Sequence, residues 1–212
     1  MIIEQDQEFV MNLQRFIEFI GTFAFALSGI RLAASKHYDW LGGFVCGIAV
    51  AIGGGTIRDV MLGVRPFWML SPIYMICTLF AQCVVIVCHN YLKRLDTTWF
   101  LFDTLGLALF NIAGIQKTLD CGFPFWVAII MGCITGAAGG VIRDVLLNEE
   151  PVIFRKEIYA MACVLGGLTY WGMTSLGISV YFTVIASFVI VCVIRFQAVR
   201  YHISLPKLRD EE

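Results

Sequence analysis

The sequence predicts an all-α integral membrane protein of seven transmembrane helices: a three-helix unit, a second copy in inverted orientation, and one extra C-terminal helix. Three observations predict it. Of 212 residues, 59% are hydrophobic and only 15% charged, above the apolar content of about 45–50% usual in soluble domains. Apolar stretches long enough to cross a bilayer recur along the whole chain, and a self-comparison at an offset of 85 residues aligns its two halves without a gap.

A helix of about 20 residues crosses a hydrocarbon core of roughly 30 Å. Seven segments meet that requirement, at 16–34, 41–62, 72–92, 101–119, 124–147, 158–175 and 178–197. Ahead of them lies an N-terminal segment, 1–15, whose Glu4, Asp6 and Glu8 are the reverse of the basic start of a signal peptide; retention of the N-terminus is expected. The third span is the cleanest, with no Asp, Glu, Lys or Arg from Pro72 to Leu92. The stretch from Ile158 to Ile194 is also uncharged, but as one helix it would measure about 55 Å. It is therefore divided at Thr174-Ser175-Leu176-Gly177, where small and turn-forming residues suit a hairpin. The first and fourth spans carry charges, Glu18 with Arg31 and Asp103 with Lys117. Their simplest reading is helix-end anchors, acid near the N-terminus and base near the C-terminus, as the helix dipole favours.

In a seven-span chain the N-terminal side collects Arg15, Arg58, Arg65 and Lys117. The other side collects Arg31, Lys36, Lys93, Arg94, Arg143, Arg155, Lys156, Arg195, Arg200, Lys207 and Arg209. That bias predicts an N-terminus outside and a cytoplasmic C-terminus, including the tail 198–212.

The 85-residue offset lays Gly54-Gly55-Thr56-Ile57-Arg58-Asp59 on Gly139-Gly140-Val141-Ile142-Arg143-Asp144, and Pro66 on Pro151. It also pairs Glu18 with Asp103, Phe25 with Phe110 and Tyr74 with Tyr159. The repeats are 16–92 and 101–175, with 178–197 unpaired. Three spans per copy is an odd number, so the second copy enters from the opposite side and the second and fifth spans should meet near the midplane.

Gly53-Gly54-Gly55 and Ala138-Gly139-Gly140 fall near the centres of those two spans. Glycine within a helix costs about 1 kcal/mol relative to Ala. The favoured reading is a break or bend beside a conduction or binding site, with close helix packing as the alternative. A half-helix starting after Gly55 would put Thr56 at its N-cap and Asp59 in its first turn. Arg58-Asp59 and Arg143-Asp144 lie well inside the apolar spans, where charge is costly and points to function. They are expected to pair across the repeats, next to the path or only holding the helices. An arginine beside a cation path has to be neutralised. Among other polar residues in the spans, Asn111 has the best claim, because its equivalent is Ala26.

Several classes are excluded. The eight cysteines show no metal-ligand spacing and suit small core positions, with Cys121 in a loop. Neither a metal nor a cofactor is implied. A net charge of -1 without a basic face gives no nucleic-acid partner, and no nucleophile elbow, P-loop or HExxH pattern offers an enzyme its catalytic residues.

The doubled GG-x-IRD-V-x-L motif, with its following proline and tyrosine, resembles the bacterial membrane proteins that carry a repeated glycine-transporter domain. These are relatives of the trimeric intracellular cation (TRIC) channels. The resemblance covers about residues 16–197. It implies a multi-pass inner-membrane protein, a homotrimer with one pore per subunit, second and fifth helices bent at Gly53, Gly54, Gly55, Ala138, Gly139 and Gly140, and passage of potassium or other monovalent cations. Ala138 departs from the triple glycine of the first copy. Lys156-Glu157-Ile158 is similar to the Lys-Glu-Val signature of the animal channels. A secondary transporter for glycine or another small amino acid is the alternative, since helix N-termini also hold carboxylates, and a non-transporting scaffold is a third reading.

Overall fold

The computed structural model describes residues 2–88, 98–154, 158–201 and 203, with the side chains of 2–11 excepted. Among these residues the chain forms seven α-helices and no strand: α1 Ile2–Ser35, α2 Trp40–Met61, α3 Ile73–Val87, α4 Thr98–Asp120, α5 Phe125–Leu146, α6 Ala160–Ser175 and α7 Val180–Arg200. Five are long and apolar enough to cross a bilayer, α1 doing so over Asn12–Ser35. The other two, α3 and α6, have 15 and 16 residues. The third span was expected to reach residue 92, but α3 ends at Val87, and 89–97 lie outside the described residues. The division of the long uncharged stretch falls where the turn chemistry put it, with Gly177 at φ 70° between α6 and α7.

Local chemistry fixes the ends of the helices, and in matched pairs. Asp39 caps α2 by accepting from the Gly42 N–H at 2.7 Å. Beyond α2, Gly63 adopts φ 70°, and beyond α5 the equivalent Asn148 adopts φ 53°. Each lets the next amide bond back, Val64 N to the Asp59 carbonyl at 2.9 Å and Glu149 N to that of Asp144 at 2.8 Å. After α1 and α4 the left-handed residues are His37 and Gly122, again 85 apart.

The polarity of the fold is that of a protein in lipid. Arg58, Arg143, Arg195, Asp59, Asp103 and Asn111 are completely buried, whereas Trp40, Phe80, Val87, Trp126 and Phe182 are among the large apolar side chains left exposed. Helix α1 packs on α4 and α2 on α5, first helix on first and second on second. Their contacts are reciprocal. A Cβ on Gly54 would collide with the Thr135 carbonyl oxygen, while one on Gly139 would lie 2.6 Å from the Val50 carbonyl oxygen. Because 54 matches 139 and 50 matches 135, a two-fold axis relates the repeats, as in any interface where i meets j and j meets i. The Tyr38 hydroxyl donates to the Leu146 carbonyl at 3.2 Å, so α1 and α5 end on the same side, as an inverted second copy requires. Only α7 stands outside this symmetry, packing on α6 and α4.

Candidate functional site

The site is a pair of buried arginine clusters, one near the C-terminal end of α2 and one near that of α5. In the first, Arg58 Nε donates to Asp59 Oδ1 at 2.7 Å and Nη2 to Glu18 Oε1 at 3.1 Å. Asp59 Oδ2 accepts the Phe67 N–H at 2.7 Å, and Glu18 Oε2 accepts the Tyr74 hydroxyl at 3.1 Å. The Phe67 ring covers the guanidinium at 5.6 Å. In the second, Arg143 Nε donates to Asp144 Oδ1 at 2.9 Å and Nη1 to Asp103 Oδ1 at 2.5 Å. Asp144 Oδ2 accepts the Val152 N–H at 2.9 Å, and the Tyr159 hydroxyl reaches Asp103 Oδ1 at 3.4 Å. Trp99 lies 5.3 Å from this guanidinium.

The two constellations follow one plan. The aspartate next to each arginine holds its guanidinium and also pins the returning loop, through an amide eight residues later. An acid from the first helix of the repeat closes the other side. Each arginine thus faces two carboxylates. Buried charges are tolerable when paired and hydrogen-bonded; two-to-one pairing leaves each cluster free of net positive charge, while Arg58 Nη1 and Asp103 Oδ2 take no hydrogen bond among the described residues.

Three sequence expectations are corrected here. The ion pairs form within each repeat rather than across the repeats: Arg58 with Glu18 and Asp59, Arg143 with Asp103 and Asp144. A polar bond does cross over, from Arg143 Nη1 to Ser28 Oγ at 2.8 Å. Glu18 and Asp103 are not helix-end anchors, because they lie 5% and 0% exposed and serve as partners of the arginines. Finally, the reading of a helix break with a new half-helix starting after Gly55 is corrected, since α2 and α5 run through the glycines as continuous α-helices. Thr56 therefore caps nothing. Its hydroxyl donates to the Ile52 carbonyl at 2.7 Å and accepts from Trp68 Nε1 at 3.0 Å.

The glycines answer to close approach. A Cβ at Gly53 would meet Ile142 Cδ1 at 2.5 Å, one at Gly55 would strike the Phe67 ring, and one at Gly140 would meet the Tyr159 hydroxyl at 2.5 Å. Ala138 is half-buried and lines a small apolar hollow with Ile57 and Ile142. Asn111 lies away from both clusters. Its Nδ2 donates to the Cys163 carbonyl at 3.2 Å, tying α4 to α6.

Two participants carried little signal as site residues. Tyr74 and Tyr159 stand out in sequence only as a repeated pair. Arg195 of α7 has no counterpart in the first repeat, yet it is completely buried over the Tyr159 and Phe100 rings, at 4.8 and 5.0 Å, and donates to the Ile158 carbonyl at 2.9 Å. Lys156 and Glu157 lie outside the described residues. All eight cysteines are free, and no group of metal-ligating side chains is found among the described residues.

Comparison with known proteins gives a consistent picture. The sequence profile of the family described as glycine transporter matches residues 15–90 and 100–175. The UPF0126 membrane protein of Vibrio cholerae is 38% identical over 92% of this chain and 82% of its own length. The inner membrane protein YadS of Escherichia coli K12 is 36% identical over 92% of this chain and 96% of its own. Among solved structures, the TRIC trimeric intracellular cation channel orthologue from Rhodobacter sphaeroides superposes with a TM-score of 0.85 at 29% identity, covering 90% of this chain and 99% of that one. A further structure, from work on conductance through TRIC cation channels, gives 0.81 at 31% identity, with 93% and 98% covered.

Proposed function

Because the chain belongs to the glycine transporter family, we propose that it is a passive channel for monovalent cations, potassium foremost. One pore per subunit runs beside α2 and α5, and three subunits assemble as a homotrimer in the inner membrane. The observation that carries this reading is the two-to-one pairing of carboxylates with each buried arginine. A bare arginine at that depth would repel cations. An over-paired one permits them and disfavours anions. Likeness to TRIC channels over nearly the whole of both chains supports it.

In this reading the repeats are residues 16–92 and 101–175, helix 178–197 is an addition and 198–212 a cytoplasmic tail, with the N-terminus outside. The glycines at 53–55 and 139–140 are the points at which α2 and α5 can yield, since helix propensity is lowest there. The family description favours a second reading, a carrier for glycine.

The test is flux into liposomes holding purified protein under an imposed potassium gradient, with glycine as competitor. Passive potassium movement indifferent to glycine is expected. Saturable glycine uptake without potassium flux would overturn the channel in favour of the carrier.

A further inference from the structure

The crossing of α2 and α5 is lined differently on its two sides. Thr135 of α5 and Val50 of α2 are equivalent positions, and each turns its carbonyl to a glycine of the other helix, Gly54 and Gly139. Their side chains turn toward the first helix of their own repeat. A Cβ on Gly114 of α4 would lie 2.6 Å from Thr135 Oγ1, and one on the equivalent Gly29 of α1 would lie 2.9 Å from Val50 Cγ2. One crossing thus carries a hydroxyl on its α4 side and a methyl group on its α1 side.

The difference continues along the two first helices. Thr104, Asn111 and Thr118 follow one another at seven-residue intervals, on one face of α4, and all three are completely buried. In α1 the same positions are Phe19, Ala26 and Ala33. The apolar packing around them is alike: Gly132 lies against Ile115 of α4 as Gly47 lies against Ile30 of α1, 2.7 and 2.6 Å from a Cβ placed there. The fold therefore accepts an alanine where the second repeat has Asn111.

Asn111 is engaged through only one of its two polar atoms. Its Nδ2 donates to the Cys163 carbonyl, whereas its Oδ1, 2.7 Å from where a Cβ of Gly132 would stand, accepts no hydrogen bond among the described residues. Leaving a buried oxygen unmet costs about 1–3 kcal/mol. Tying α4 to α6 uses only the amide nitrogen, so the oxygen is left for another partner. Gly114 and Gly132 bring Thr135 Oγ1 and Asn111 Oδ1 to the same stretch of the α4–α5 seam. No charged residue occurs from Thr104 to Gln116 or from Phe125 to Ile142. One end of the seam meets Arg143 with Asp103 and Asp144, backed by Arg195 over Tyr159, and at the other end α4 carries Lys117 and Asp120.

We infer that Thr135 Oγ1 and Asn111 Oδ1 are the selectivity-determining oxygens of the pore, replacing part of a monovalent cation's hydration shell on the α4 side of the α2–α5 crossing. This rests on the channel reading and names the groups that set its ion preference. Oxygen dipoles substitute for an ion's water, and without a carboxylate they suit a monovalent ion better than a divalent one. In this structure the seam is closed, with Gly132 and Gly136 so placed that a Cβ on either would lie 2.8 Å from the Asn111 or Leu107 carbonyl oxygen. Yielding of α5 at Gly139 and Gly140, one turn beyond Thr135, parts it.

The first repeat supplies the substitution. Thr135→Val writes in the residue found at position 50, keeps the side-chain shape and loses only a bond to the Met131 carbonyl of its own helix. Thr78→Val is the control, losing the like bond to the Tyr74 carbonyl from an equally buried site on α3. In liposomes under matched potassium or sodium gradients, Thr135→Val should lower potassium flux roughly tenfold, equivalent to about 1.4 kcal/mol on the barrier, and shift the potassium-to-sodium ratio. Thr135→Ser should restore both, with Thr78→Val at the wild-type values. An unchanged ratio in Thr135→Val, or the same change in Thr78→Val, would overturn the assignment.

A second readout needs neither flux nor that variant. With the eight native cysteines replaced, chains carrying Thr135→Cys or Val50→Cys as their only thiol are treated with silver ion, a thiol-seeking monovalent cation close to potassium in size, in nitrate buffer. The thiol remaining is then counted by intact mass after alkylation in denaturant. Position 135 should be consumed much faster than position 50. Equal rates, or a faster reaction at 50, would sink the assignment. Absence of potassium flux from the wild-type chain would sink the channel reading itself, and the ratio of thiol consumption would still decide whether the α4 side of the crossing admits a cation.

Discussion

Phe25 and Phe110, exact equivalents in the two repeats, stack on each other at 5.3 Å with their rings 10° from parallel. Equivalent residues touch one another only beside a symmetry axis, so the pseudo-two-fold passes between these rings. Gly21 and Gly106 complete the arrangement, each lying against the other repeat's phenylalanine. Phe25→Ala and Phe110→Ala should each cost about 3–5 kcal/mol. The double variant should cost less than the two added, by about 0.5–1.5 kcal/mol, the worth of an aromatic pair beyond its area. Unfolding in detergent by denaturant would measure it, and strict additivity would contradict a direct pairing.

Removing an arginine from either cluster strands two carboxylates in the interior. Arg143→Gln should destabilise by about 3–5 kcal/mol, visible as poor yield and a lowered melting temperature in detergent. Adding Asp103→Asn should recover part of that loss, because it removes one of the two stranded charges. The same Asp103→Asn placed with Arg58→Gln should recover nothing, since Asp103 belongs to the other cluster.

The glycines should separate by what their Cβ would strike. Gly54→Ala drives a methyl into the Thr135 carbonyl, which is backbone and cannot swing aside, whereas Gly53→Ala meets only the tip of Ile142. The first should abolish the monodisperse folded species on gel filtration and the second should shift its melting point modestly. Gly172 in α6 has open space around it, and Gly172→Ala should stabilise by about 0.4–1 kcal/mol.

Arg195 ties α7 to the second repeat through two aromatic faces. Arg195→Leu keeps much of the bulk but loses both stacking contacts, each worth about 2 kcal/mol when desolvated, and the bond to the Ile158 carbonyl. Limited proteolysis should then release α7 ahead of the rest of the chain. A cleavage pattern identical to wild type would refute the tie.

Much of this fold could be read from the amino-acid order, because membrane spans and an ungapped repeat are written in hydropathy and in spacing. The offset that paired Arg58 with Arg143 also paired Asp59 with Asp144, Glu18 with Asp103 and Tyr74 with Tyr159, so the charged and tyrosine members of the two constellations stood in the sequence as repeated positions, whereas Trp99 and Ser28 did not. The association of the members was not written there. It depends on the depth at which Glu18 sits and on the loop after α2 folding back, so that the Phe67 amide meets Asp59, and neither leaves a mark in composition. The break read at the glycine clusters failed for a related reason. Low helix propensity is a property of the residue, but whether a helix breaks there or lets a neighbour come close depends on the partner backbone, here Thr135 and Val50. Arg195 gave no signal, being one basic residue near the end of an unrepeated helix.

The seventh helix has one consequence that the repeat alone would never produce. Two identical inverted copies around an axis in the bilayer plane would look the same from either side, so such a molecule would pass charge equally in both directions. By covering the Tyr159 side and leaving the Tyr74 side open, α7 gives the protein a front and a back. Any current it carries is therefore expected to rectify.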